Sequence, residues 1–261
     1  MTSEKKIIFF GNGPLSEYAL AVLTRECQVI FHARTREDLE EVKKLKKEFP
    51  EAHGVLASFG VMVPESVLEI FEPEGILNIH PSLLPLYRGA SPIESAILAG
   101  ETEFSVSVMK LVKEMDAGPI YYQTTLSTLP ICKKDIYETL AETGAEWIVE
   151  NLEKLPKPNL QDDSKATFCG KMEKSMGILT PETDTAEQIF RKIVAYQGFP
   201  KPKCEFFGLN CIILEAHILE QGETALLTIP CADGREVAID RLQPEGRKAM
   251  DAKAFLNGYK K

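Results

Sequence analysis

Residues 54–80 read GVLASFGVMVPESVLEIFEPEGILNIH. Two short apolar runs, GVLASFG (54–60) and GILNIH (75–80), flank PESVLEIF (64–71), which is long enough for a short helix. A strand, a helix and a second strand in that order make a parallel pair, because a parallel connection needs a crossover where an antiparallel one needs only a turn. The pattern extends upstream. KIIFFG (6–11) is a strand closed by glycine, SEYALAVLTRE has helical periodicity, and QVIFHA (28–33) is a second strand. Thr35 then opens TREDLEEVKKLKKEF as the cap of a helix whose acidic start and basic end suit the helix dipole. Repeated alternation of this kind predicts an α/β domain with a doubly wound, Rossmann-like parallel sheet.

Downstream, SPIESAILAG (91–100) reads as a helix, FSVSVMKLV and IYYQTTLSTL (120–129) as strands, and residues 134–155 as a long amphipathic helix. PKPNLQDDSKA (156–166) has no hydrophobic period and marks a linker. Beyond it TAEQIFRKIVAY is helical, and NCIILEAHIL, ALLTIP and REVAID are short β runs. The expected division is 1–160 and 161–261, the second part being a small β-rich domain.

The chain has 261 residues, 44% hydrophobic and 26% charged, which is ordinary for a globular protein. No apolar run approaches the roughly 20 residues of a membrane helix. MTSEKKIIFF reads as a first strand rather than a signal peptide, so the chain is read as cytoplasmic, with no membrane partner. Six cysteines lack C-x-x-C spacing and read as reduced thiols, with no metal site expected. The net charge of −9 argues against indiscriminate nucleic-acid binding. It is uneven, since residues 1–164 hold 16 Lys+Arg against 26 Asp+Glu and residues 165–261 hold 14 against 13. A polyanion would more plausibly meet the second part.

GNGP (11–14) is half of a dinucleotide fingerprint, but the third glycine of G-x-G-x-x-G is replaced by Ser16. The glycines then serve the strand-to-helix turn. After GILNI, the stretch NIHPSLLPLYRGASP (78–92) is too rich in proline to continue a helix or a central strand. The chain is expected to leave its strand at about Asn78, where open α/β sheets hold ligands. Taken alone, Asn78 and His80 are more simply a turn-forming asparagine and a satisfied histidine, and both reach a crevice only if the strand breaks up there. KEMDAGPI (113–120) adds a carboxylate, Asp116, in a second loop, so that a carboxamide, an imidazole and a carboxylate could meet at the carboxyl edge of the sheet.

Together these segments resemble the formyltransferases that use 10-formyltetrahydrofolate. The Asn-x-His-x-Ser-Leu-Leu-Pro motif is whole at Asn78, His80, Ser82, Leu83, Leu84 and Pro85, and an Asp-x-Gly loop matches at Asp116 and Gly118. Tyr87-Arg88-Gly89-Ala90-Ser91-Pro92-Ile93 and residues 165–179, 199–216 and 242–259 are similar to the branch that formylates tRNA. The resemblance implies a second domain that is a small, OB-like β-barrel and helps hold the tRNA. It also implies methionyl initiator tRNA as acceptor, 10-formyltetrahydrofolate as donor, a monomer, and catalytic Asn78, His80 and Asp116. Asn78 and a protonated His80 would donate to the oxyanion of a tetrahedral intermediate, where each preorganised donor is often worth about 3–4 kcal/mol. Asp116 would pair with the imidazole or position a water that relays the proton. The folate would lie against Val61, Met62 and Val63, the 82–85 segment, and Ala117 and Gly118.

Family members normally carry a longer basic loop after the second strand. Here only RTREDLEEVKKLKKEFPEAH (34–53) stands there. Candidate tRNA contacts are therefore Arg34, Arg36 and Arg88 in the first part, with lysines 43, 44, 46 and 47 on an equally acidic helix. Lys171 and Lys174 lie in the basic stretch 165–204, which has seven Lys+Arg and four acids. The short loop keeps a second acceptor open, an amino sugar nucleotide. A noncatalytic RNA-binding protein is a third reading, opposed by the intact Asn78, His80 and Asp116. A dinucleotide oxidoreductase is the weakest.

Overall fold

A computed structural model describes residues 5–127 and 132–259. The last two residues of the predicted strand 120–129 lie outside them. The chain divides into two compact units, one of Met1–Ile93 with Thr102–Gly170, the other of Glu94–Glu101 with Lys171–Lys261.

The first unit opens with β1 (Lys6–Gly11), α1 (Pro14–Glu26), β2 (Gln28–Ala33), α2 (Leu39–Glu48), β3 (His53–Ala57), α3 (Glu65–Leu68) and β4 (Ile76–His80). Then come β5 (Arg88–Gly89), β6 (Glu103–Lys110), β7 (Ile120–Ser127), α5 (Lys133–Asn151) and β8 (Phe168–Cys169), while α4 (Pro92–Ala99), between β5 and β6 in the chain, belongs from Glu94 onward to the second unit. Six strands form one sheet in the order β2-β1-β3-β4-β6-β7. The first four are mutually parallel, as the alternation predicts, but β6 runs antiparallel to β4 and β7 antiparallel to β6. The sheet is Rossmann-like and mixed, not wholly parallel.

Local chemistry explains the elements. Gly13, at φ +90°, turns the chain into α1, and Pro14 takes the first helical position, where its missing N–H costs nothing. A Cβ on Gly11 would lie 2.2 Å from Ser16 Oγ and 2.6 Å from Ala57 O, so the buried serine fills the space beside this turn. The predicted Thr35 cap is displaced. Helix α2 starts at Leu39, and the Asp38 carboxylate reaches back to accept from the N–H groups of Arg34 and Thr35 (2.7 and 2.8 Å). Those bonds hold the Asp38 carboxyl below its usual range.

The expected division after residue 160 falls earlier than the observed one. Asn159 exchanges backbone bonds with Ile120, and β8 pairs with β5, so the segment read as a linker is bound to the first unit as far as Gly170.

The second unit holds α6 (Ala186–Ala195), β9 (Lys203–Phe206), β10 (Leu209–Ile218), β11 (Thr228–Pro230), β12 (Glu236–Pro244), β13 (Met250–Asp251) and α7 (Ala252–Tyr259). Its five-stranded sheet is antiparallel, ordered β11-β12-β10-β9 with β13 on β12, and irregularities at Ile213–Ala216 help it curl. Thr185 and Gln188 form a capping box at the start of α6, each side chain bonded to the other's backbone N–H (3.3 and 2.8 Å). Ile189, Ile193, Ile213, Ile239 and Phe255 make the core.

None of the six cysteines is joined in a disulfide, and burial pushes the Cys204 and Cys211 thiols up to about 11. Among the described residues no helix is long and apolar enough to cross a membrane, and no His/Cys/Asp/Glu cluster is arranged to hold a metal.

Candidate active site

Alternation along β4 sets the site. Ile79 faces α5, where a Cβ on Gly144 would meet Ile79 Cγ2 at 2.7 Å. Ile76, Asn78 and His80 therefore share the opposite face. Residues two apart lie on one side of a strand, so Asn78 and His80 converge without any break, and β4 runs on through His80. Both are buried, at 5% and 4% exposure.

His80 is paired across the sheet with Ser107, which sequence reading did not single out. The Ser107 hydroxyl donates to Ser82 O (2.6 Å) and accepts from Leu84 N–H (3.2 Å) and Gln123 Nε2 (2.8 Å). Gln123 also donates to Leu84 O (2.8 Å). These two side chains bind the 82–84 loop over the Asn78–His80 face. Ser82 donates its own hydroxyl to Leu86 O (2.6 Å) and is buried, which makes it part of the loop's frame.

Asp116 arrives by an unexpected route. The pairing of Leu77 with Lys110 puts the root of the 111–119 loop beside the first half of β4, yet Asp116 Oδ1 lies 3.7 Å from His80 Nδ1. The loop folds back along β4 instead of rising from the carboxyl end of a neighbouring parallel strand. Two conformational demands follow. Asp116 sits at φ +52°, and a Cβ on Gly118 would stand 1.8 Å from Lys110 O, so only glycine lets the backbone close here. The carboxylate's other oxygen, Oδ2, accepts the Gly89 N–H at 2.8 Å.

His80 Nε2 is 3.1 Å from Tyr87 O. A carbonyl can only accept, so Nε2 carries hydrogen and Nδ1 is the nitrogen that faces Asp116. Among the described residues the Asn78 carboxamide makes no hydrogen bond. A buried amide left without partners costs about 1–3 kcal/mol, and such groups mark places where something else supplies the partner.

The other predicted residues fall into three sets. Val61 and Val63 pack with Phe59, Phe10 and Ile76, while Met62 stands 70% exposed. Leu84 packs on Met109 and Ile120, Leu83 is 41% exposed, and Pro85 and Ala117 are half-buried. These loops around His80 and Asp116 thus present uncovered apolar side chains on a packed base. Arg34, Arg36, Lys171 and Lys174 are exposed, with Arg34 Nε donating to His32 Nδ1 (3.2 Å) and His32 Nε2 donating to Gly11 O (2.9 Å).

Arg88 is a correction. It is 4% exposed, and its guanidinium is held by Gln161 Oε1 (3.1 and 2.7 Å) and Asp163 Oδ1 (2.7 Å), so it is not free to meet a phosphate. Gln161 went unnoticed in the sequence because it lies in an aperiodic stretch.

A mixed Rossmann-like sheet bearing these loops, followed by a curled antiparallel sheet, is the formyltransferase architecture. The sequence agrees, matching the formyl transferase family over residues 11–152 and the formyl transferase C-terminal domain over 171–260. The chain belongs to the formyl transferase family. It is 36% identical, over 79% of its length and 68% of the relative's, to the methionyl-tRNA formyltransferase of Granulibacter bethesdensis. Two solved structures share the fold. HypX from Aquifex aeolicus in complex with tetrahydrofolic acid has a TM-score of 0.78 at 21% identity, over 100% of this chain and 48% of that one. Methionyl-tRNA formyltransferase from Clostridium thermocellum has a TM-score of 0.69 at 19% identity, over 92% and 98%.

Proposed function

We propose that this formyltransferase moves the formyl group of 10-formyltetrahydrofolate to the amino group of methionyl initiator tRNA, with Asn78, His80 and Asp116 as its catalytic residues. The observation that carries the reading is the buried Asn78 amide, without a hydrogen bond among the described residues, two residues from a histidine that faces a carboxylate. The acceptor is supported by relatives that bear that activity in their names at 36% identity.

In the transfer, the amine nitrogen bonds to the formyl carbon and the carbonyl electrons move to oxygen. The oxyanion then collapses, the bond to the folate nitrogen breaks, and one proton passes from the amine to the departing nitrogen. Asn78 has both amide hydrogens to give to the oxyanion. His80 Nε2–H is given to Tyr87 O in this structure, so donation to the oxyanion means sharing or withdrawing that hydrogen. Asp116, fixed by Gly89 N–H, holds the other side of the ring. Met62, Leu83 and their packed neighbours Val61, Val63, Leu84, Pro85, Ala117 and Gly118 are the proposed surface for the flat folate. Arg34, Arg36, Lys171 and Lys174 are the proposed phosphate contacts.

The test is a formylation assay with 10-formyltetrahydrofolate and either charged initiator tRNA or a 4-amino sugar nucleotide. Turnover is expected with the tRNA alone. His80→Ala should cut that turnover by about 10²–10⁴-fold while folate affinity is kept, because the group acts in the transition state. Turnover with the sugar alone would replace the acceptor, and loss of folate affinity with turnover intact would remove His80 from the chemistry.

A further inference from the structure

Gln161 lies within the segment that reads as a linker, yet its carboxamide has a full set of partners. Nε2 donates to Asp116 O (2.8 Å) and Gly118 O (2.7 Å). Oε1 accepts from Arg88 Nε (3.1 Å) and Nη2 (2.7 Å). The orientation of the amide is fixed by chemistry, since arginine can only donate and carbonyls can only accept.

These bonds close a ring. The Asp116 backbone is tied to Gln161, Gln161 to Arg88, and Gly89, next in the chain, donates its N–H to the Asp116 carboxylate. Arg88 and Ala90 are pinned in turn by backbone bonds to Thr167 O and Cys169 O. Asp116 therefore has its main chain held from one side and its side chain from the other, at a left-handed φ that costs a non-glycine residue of order 1–3 kcal/mol. Without the amide, two carbonyls at 116 and 118 lose their donor, and the loop has less to keep it in that conformation.

We propose that Gln161 is a positioning residue for formyl transfer, acting through Asp116 by locking the backbone that aims its carboxylate at His80. This rests on the catalytic reading of Asp116 given above. It assigns the 156–166 segment a role in the site, not only between domains. Its isostere Gln161→Glu is the informative change, for it keeps the size and the Arg88 pairing but sets a carboxylate oxygen against two carbonyl oxygens.

The experiment is a double-mutant cycle in the full chain, measuring kcat and KM for 10-formyltetrahydrofolate with charged initiator tRNA. Gln161→Glu and Gln161→Met should each lower kcat by about 10- to 100-fold, the size expected for a misplaced catalytic group, with KM little changed. In an Asp116→Asn background the same changes should have no further effect on kcat. Urea midpoints of each variant report folding separately. Equal fractional losses in both backgrounds, or wild-type kcat in both Gln161 variants, would overturn the proposal while leaving Asp116 catalytic. Wild-type kcat in Asp116→Asn alone would instead remove the catalytic reading, and the role of Gln161 with it.

Discussion

Asn78 shows how one residue can be held against its own stability. Its amide is buried at 5% exposure without a hydrogen bond among the described residues, beside a packed base of Ile76 and Met109 neighbours. Leucine has nearly the same shape and no polar atoms to desolvate. Asn78→Leu is therefore expected to stabilise the protein by about 1–3 kcal/mol and to lower turnover by about 10²–10³-fold. Urea unfolding and the formylation assay check the two halves, and a destabilised variant would mean that the amide already has a partner. This residue, with His80 and Asp116, was legible in sequence only through the resemblance, because the Asn-x-His-x-Ser-Leu-Leu-Pro and Asp-x-Gly motifs mark those positions. Arg88 was misread for a physical reason. An arginine after a proline-rich loop looks solvent-facing until its partners Gln161 and Asp163 are known, and nothing local announces contacts 73 and 75 residues away. Gln161 left no signal at all, since a single glutamine in a stretch without periodicity looks like any solvated linker residue.

The sheet was legible as far as β4, and beyond it the sequence left the direction of the strands open. Strand–helix–strand units fix parallel pairing where the connection is short, as between β1, β2, β3 and β4. Between β4 and β6 the chain passes through a long loop as well as α4, and that length lets the next strand return in either direction. The antiparallel outcome is what sends the β6–β7 loop back along β4. Gly118 is the hinge of that return. Gly118→Ala would place a methyl 1.8 Å from Lys110 O and disturb the bond from Lys110 N–H to Pro119 O (2.9 Å). The expected result is a loss of about 1–3 kcal/mol in stability and about 10²-fold in turnover as Asp116 moves off His80. Gly170→Ala, where a Cβ meets nothing within 4 Å, is the matched control and should be neutral in both assays. Wild-type turnover in Gly118→Ala would show that the loop tolerates displacement, and the Asp116 geometry would lose its importance.

Over the whole molecule, His32 and His53 in the first unit and His217 in the second are shifted with opposite sign. In the first, burial lowers the proton affinity of His32, with Arg34 adding to it, and burial lowers that of His53, with Lys46 adding to it. In the second, His217 is raised, chiefly by its hydrogen bond to Asp240 (2.8 Å) and with further help from Glu223 (3.1 Å). An unfolded histidine titrates near 6.5. For His32 and His53 the unfolded chain binds protons first as pH falls, so their stability is complete above about pH 6.5 and is lost below it. For His217 the folded chain holds the proton longer, so its stability is complete below about pH 6.5 and is lost as pH rises through the raised value. The carboxylates lowered in both units, Asp38 and Asp184 among them, titrate well below this window. Moving from about pH 7.5 to about pH 5.5 should therefore loosen the core around Ile8 and Phe10 and tighten that around Ile213 and Ile239. The effect in the second unit should be small, because the His217 side chain is 43% exposed and water screens the pair. Hydrogen exchange followed by peptide mass, corrected for intrinsic rates, reads both cores in one intact chain. His217→Gln should abolish the trend in the second core only, and paired His32→Gln and His53→Gln should flatten it in the first only. Two cores that move in the same direction, and keep doing so in the variants, would show that groups other than these histidines govern stability near neutral pH.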